Sequence, residues 1–235
     1  MPTTTRTPVG NRLLGALPKS ALQELLSRCE TVELVFADVL CTPWQRLSHV
    51  YFPLRGFISL IMPIDASSSL EVGLVGDEGM FGVPLVLGVD VSPVRAVVQG
   101  AGSALRIDAA RFRRELGHSQ ALQRKMDRYA VVRYTQLAQT AACTRFHVVE
   151  SRLARWLLMT QDRAHATSFH ITQEFLALML GVRRVGVTTA ASSLQQRSLI
   201  RYSRGNIRVL DRSGLKAASC GCYQADRDSY ARILN

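Results

Sequence analysis

The apolar positions of this chain fall into two textures. Between Val32 and Ile107, short apolar runs (Val32–Phe36, Val50–Phe52, Gly56–Met62, Leu70–Val75, Val94–Val98 and Ala104–Ile107) are broken by Gly, Pro, Asp and Ser. Strand-length runs at such close spacing predict a compact antiparallel roll or barrel. Lys19 to Cys29 reads as a short helix in front of it. From Asp108 onward the breakers thin out, and neither Gly nor Pro occurs between Gly117 and Ser168, so long helices are predicted. Leu122, Met126, Tyr129, Arg133, Leu137 and Thr140 step by three and four, approximating a heptad seam. This seam predicts a helix lying along a partner; the other reading is a helix lying on its own domain. A second helix, Val148 to Asp162, carries Val149, Leu153, Trp156 and Leu157 on one side.

The segment Ile171 to Asp211 is the most informative. Thr172 is placed to cap a helix over Gln173 to Leu180, Gly181 ends that helix, and a second runs from Arg183 to about Gln196. Leu176, Leu180, Val182 and Val187, with small Ala177 and Gly181 between them, fit the packing code of a helix-turn-helix. The small residues let two helices approach steeply, and the apolar set forms a miniature core that turns the second helix outward. Ala190 is an undersized member of that set. Leu199–Tyr202, Ser203–Asn206 and Ile207–Leu210 then read as strand, Gly-containing turn and strand, which predicts a hairpin wing.

Charge sharpens this picture. The chain of 235 residues holds 29 Lys+Arg and 18 Asp+Glu, for a net charge of +11. Residues 148 to 235 carry 13 basic and 6 acidic side chains, against 16 and 12 in residues 1 to 147. A basic surface on a steep helix pair suits phosphate neutralisation, and double-stranded DNA is the expected partner. Arg183, Arg184, Thr188 and Thr189 are the expected base-edge readers, with Arg as a fork donor to guanine and the Thr methyl against thymine. Thr172, Gln173, Arg201 and Arg204 are expected on phosphates.

The strand-rich N-terminal roll, the long helix, the segment Phe146-His147-Val148-Val149-Glu150-Ser151-Arg152-Leu153-Ala154-Arg155-Trp156-Leu157-Leu158, and Thr172-Gln173-Glu174 together resemble the Crp/Fnr family of bacterial transcription regulators. The resemblance spans about Leu13 to Leu215. It implies an α+β fold: an antiparallel, cyclic-nucleotide-binding-like β-roll as sensor, a long central dimerisation helix, a hinge near Phe146 and a C-terminal winged helix-turn-helix. The corresponding divisions are a flexible tail (1–12), the roll (13–117), the dimerisation helix and hinge (118–147) and the DNA-binding domain (148–235). Leu122, Met126, Tyr129 and Leu137 would line the dimer helix, and the homodimer would meet a roughly palindromic operator. RNA polymerase is a further partner that the resemblance implies.

The sensor departs from the family pattern. Cyclic-nucleotide-binding members hold the ribose with a Gly-Glu pair and the phosphate with an Arg followed by Ser or Thr. Here Gly82 is followed by Val83 and Arg95 by Ala96. Each lost partner would cost about 1–3 kcal/mol, so cAMP binding in the usual way is not expected. Phe81, Gly82, Val83, Arg95, Ala96 and Arg133 are the expected effector pocket. The stretch Gly79 to Pro84 is its expected wall, because glycines let backbone amides face a ligand. No cofactor is assigned, and the effector is left unidentified.

Other chemistries fit less well. A cupin-type enzyme needs several His converging in the barrel, and the strand region has only His49. No G-x-S-x-G, P-loop or H-E-x-x-H motif occurs, so no catalytic residue is assigned. A ligand-binding scaffold without DNA binding is the remaining alternative. The five Cys (29, 41, 143, 220 and 222) are irregularly spaced, which does not suggest a disulfide framework. Cys220-Gly221-Cys222 alone cannot close a tetrahedral zinc site, and no His stands near it in sequence, so no metal is expected. The N-terminus, Met1 to Asn11, lacks an apolar core, and no run reaches the length of a membrane span; a cytoplasmic protein is expected.

Overall fold

The computed structural model describes residues 10–65 and 68–234, which divide into two compact units. The first comprises residues up to 60 together with 75–131 and Leu234, and the second comprises 61–74 and 132–233. Most of the expected 1–12 tail lies outside the described residues. Of its last members, Asn11 is buried, donates to the carbonyls of Pro53 and Gly79 at 2.9 Å each, and caps the short helix α1 (Arg12–Gly15).

Helix α2 (Lys19–Ser27) leads into β1 (Glu30–Leu34), β2 (Val39–Cys41), β3 (His49–Pro63), β4 (Ser69–Val75), the short helix α3 (Val83–Val86) and β5 (Arg95–Asp108). The sheet runs β1-β5-β3-β4 with β2 also on β5, and β1 pairs with β5 antiparallel from Glu30↔Arg106 to Leu34↔Gly102. Two pairs of apolar runs that the sequence separates are therefore single long strands. Neither Pro53–Arg55 nor Gln99–Ser103, which separate the runs, breaks its strand, and the glycines at the crossing have a different role. Gly56 adopts φ +75°, and a Cβ there would meet the Gly100 carbonyl oxygen; one on Gly102 would meet Arg55 and one on Gly100 the Phe57 ring. Bare backbone is required because the strands cross too closely for side chains.

Asp108 caps α4 (Ala109–His118) by accepting from the amides of Ala110 and Arg111, and α5 follows over Gln120–Phe146. Leu122, Met126 and Tyr129 are buried within the chain, so their side chains are not exposed to a partner. Of the four expected dimer-helix residues only Leu137 is exposed. The exposed positions with heptad spacing are instead Val131, Tyr134, Ala138 and Ala141. Two interleaved heptad stripes run along this helix, and the one richer in large apolar residues turned inward.

The second unit continues with α6 (Val149–Ala164), β6 (Ser168–His170), α7 (Gln173–Leu180), α8 (Arg184–Gln196), β7 (Ile200–Ser203), β8 (Asn206–Val209), α9 (Arg212–Ala218) and α10 (Cys222–Leu234). Its core gathers Leu153, Trp156 and Leu157 of α6 with Leu176, Leu180, Val187, Ala190 and Leu194, the wing residues Ile200 and Ile207, and Leu215 and Tyr223 from the last helices. Trp156 donates its indole N–H to Glu71 at 2.8 Å. Among the described residues no single helix is long and apolar enough to cross a membrane.

Candidate nucleic-acid interface

Local chemistry explains the helix pair. The Thr172 hydroxyl accepts from the Phe175 amide at 3.2 Å, satisfying one unpaired donor of the first turn of α7. Gly181 takes φ +61°, the left-handed conformation that ends the helix. Arg183 is the extended N-cap, and α8 leaves at 106° to α7. The second helix thus begins one residue later than expected. The whole apolar set is buried except half-buried Val182, and Ala190 fits without a larger side chain.

The outward face of α8 presents Arg183, Arg184, Thr188 and Thr189, all exposed. Arg184 pairs with Glu174 at 2.9 Å, both being mostly solvated. The Thr188 hydroxyl lies 2.8 Å from the Gln173 side-chain oxygen, and the Thr189 hydroxyl donates to the Val185 carbonyl. A residue expected on phosphate and one expected on a base edge are therefore tied together. Buried Arg152 donates to the Leu180 carbonyl, occupying one of the open acceptors at the end of α7.

The wing is a three-stranded antiparallel sheet in the order β6-β8-β7. The sequence shows its hairpin but not β6, whose three residues, Ser-Phe-His, are too short to leave a pattern. Arg204 and Gly205 hold φ +50° and +78°, the mirror-image turn that suits hairpin twist. Arg201 stands opposite Arg208, and exposed Arg204 sits at the tip. Tyr202 braces the wing, its hydroxyl donating to the Ile171 carbonyl at 2.8 Å and its amide to Gln195 at 2.7 Å. Burial, aided by the Glu174 carboxylate, pushes the Tyr202 phenol above its ordinary value and keeps it a donor.

Five of the expected effector residues lie in the first unit: Phe81, Gly82 and Ala96 are buried, Val83 is half-buried and Arg95 is exposed. Along the expected Gly79–Pro84 wall, part of the backbone already has partners within the chain. The amides of Gly79 and Phe81 donate to the Gly76 and Tyr51 carbonyls, and the Tyr129 hydroxyl fills the space a Gly79 side chain would take. Arg133 lies in the second unit, buried, donating to the Leu74 carbonyl at 3.3 Å and to Gln136 at 2.6 Å.

One constellation was not visible along the chain. His147 stands 75 residues from Cys222 and Cys143 stands 77 from Cys220, yet the ligand atoms of Cys143, His147, Cys220 and Cys222 all lie within 4.8 Å of one another. His147, remote from Cys220 and Cys222 along the chain, is their neighbour in space.

Residues 151–218 match the family model of the Crp-like helix-turn-helix domain. Among solved structures, the chain is similar to a putative transcriptional regulator of the Crp/Fnr family from Eubacterium rectale, with 16% identity, 89% of this chain and 98% of that one covered, and a TM-score of 0.69. FixK2 from Bradyrhizobium japonicum gives 13% identity, coverage of 82% and 98%, and 0.69. TTHA1359, a Crp/Fnr-family transcriptional regulator from Thermus thermophilus, gives 21%, coverage of 81% and 98%, and 0.66. At these identities the likeness is one of fold. No curated protein matches the chain.

Proposed function

We propose that this chain, which carries a Crp-like helix-turn-helix domain on the fold of the Crp/Fnr regulators, is a DNA-binding transcription regulator that acts as a homodimer. The observation that carries the reading is the 106° bend at Gly181, which leaves Arg183, Arg184, Thr188 and Thr189 on one exposed helix face beside an arginine-tipped wing. Such a helix suits the major groove, where guanidinium forks and methyl groups read base edges, while the wing suits the backbone. The exposed Val131, Tyr134, Ala138 and Ala141 stripe of α5 supports dimerisation, which would present two reading helices to a palindrome. RNA polymerase is then the second partner such a DNA-bound regulator would address.

In this reading the roll does not hold cAMP in the usual way, because Val83 and Ala96 supply neither the ribose acceptor nor the phosphate-side hydroxyl. The test is a salt-titrated anisotropy assay on the DNA upstream of the chain's own gene, with and without cAMP. Binding that steepens with falling salt, prefers that DNA over random duplex and ignores cAMP is expected. Equal affinity for all duplexes would remove the regulator reading.

A further inference from the structure

We propose that Cys143, His147, Cys220 and Cys222 form a tetrahedral site for one borderline-soft divalent cation, zinc, which clamps the end of α5 to the α9–α10 loop and the first residue of α10. Cys143 and His147 are four residues apart, so the helix and the turn that ends it offer both from one face. Cys220 and Cys222 flank Gly221, where nothing crowds the missing side chain, and the loop can turn both sulfurs to the same point.

The spacings match the metal. With zinc–sulfur bonds of about 2.3 Å, the edges of a tetrahedron are about 3.8 Å long. The Cys143 and Cys220 sulfurs are 3.5 Å apart, and the Cys222 sulfur is 3.6 Å from His147 Nδ1. Three thiols and one imidazole form a donor set of closed structural zinc sites, and all three sulfurs are buried. Spacings within 4.8 Å leave room for one ion and not for a multi-iron cluster.

Outer groups suit a bound ion as well. Gln139 donates to the Cys222 sulfur at 3.0 Å, the kind of contact that orients a ligating thiolate. Arg155 is buried in a 2.5 Å pair with Asp226, while its Nε atom has no partner. Three thiolates and a dication leave one negative charge, and Arg152 and Arg155 set against Asp226 supply one positive charge near it. Binding releases the thiol protons to solvent, and no electron is transferred.

The site does not depend on the DNA-binding reading, and its test is independent of DNA. Full-length protein purified under reducing conditions is expected to carry one zinc per chain by elemental analysis. Cobalt exchanged into it should give the intense visible bands of a tetrahedral ion together with thiolate charge-transfer absorption. Cys143→Ser and Cys222→Ser should lose the metal, whereas Cys29→Ser should keep it. His147 is exposed, so His147→Ala should fold and still lose at least the ~10–100-fold in affinity expected for disturbing even an outer partner. His147→Cys should retain cobalt with stronger charge-transfer absorption. Metal-free protein that takes up neither zinc nor cobalt, His147→Ala binding like the parent, or a Cys143–Cys220 disulfide in place of metal under those conditions would each overturn the proposal.

Discussion

Replacing Arg184 with alanine separates sequence reading from general DNA affinity. In the free protein the guanidinium pairs with Glu174, and the two side chains are 64% and 66% exposed. Such a pair contributes about 0–1 kcal/mol, so the variant should fold normally and melt within about 4 °C of the parent. On an operator, a bidentate contact to guanine is worth about 1–3 kcal/mol of discrimination, less the cost of leaving Glu174. Taking about 1–2 kcal/mol per protomer, two half-sites give ~2–4 kcal/mol, or roughly a 30- to 1,000-fold loss of operator affinity. Random duplex should lose only a few-fold, because one charge per protomer has been removed among many. Parallel anisotropy titrations on both duplexes at fixed salt measure the difference. If operator and random DNA weaken by the same factor, Arg184 contacts backbone and the reading face has been misassigned.

Three other changes test neighbouring parts of the argument. Arg204→Ala at the wing tip should weaken all duplexes alike and flatten the logarithmic salt dependence by about 0.9 per protomer; an unchanged slope would take the wing off the phosphates. Tyr134, 74% exposed, and Ala138 lie on the proposed dimer stripe, so Tyr134→Glu with Ala138→Glu should halve the mass seen by light scattering without lowering helix content. A dimer that survives both charges would place the interface elsewhere. Gly181→Ala must hold a left-handed residue and set a Cβ 3.0 Å from Leu70, so a loss of about 1–2 kcal/mol, or ~2–8 °C in Tm, is expected by calorimetry.

Much of the reading domain was legible because its signals are local. Thr172 starts α7 and Gly181 stops it through their own backbone and side-chain chemistry, and the wing announces itself with a turn between two short apolar runs. The long strands of the roll read as two runs each because Pro53 and the Gly100/Gly102 pair look like breaks; only the neighbouring strand shows why Gly56, Gly100 and Gly102 are bare. The exposed stripe of α5 is hidden in the sequence for a related reason. Alanine at 138 and 141 carries little hydrophobic weight, so the stripe with Met126 and Tyr129 dominates the pattern although it is the one that packs at home. The Cys143, His147, Cys220 and Cys222 cluster had no local signal, since its halves are joined only by the packing of the second unit.

The glycine crossing in the roll has a consequence for how this protein can vary. A codon for glycine reaches several other residues by one base change, and every one of them adds at least a Cβ where Gly56, Gly100 and Gly102 admit none. Most surface positions tolerate drift with changes near ±0.5 kcal/mol, whereas these three offer no intermediate step. A saturation library selected for folded protein should show three blank columns there, in strands whose neighbours accept many substitutions.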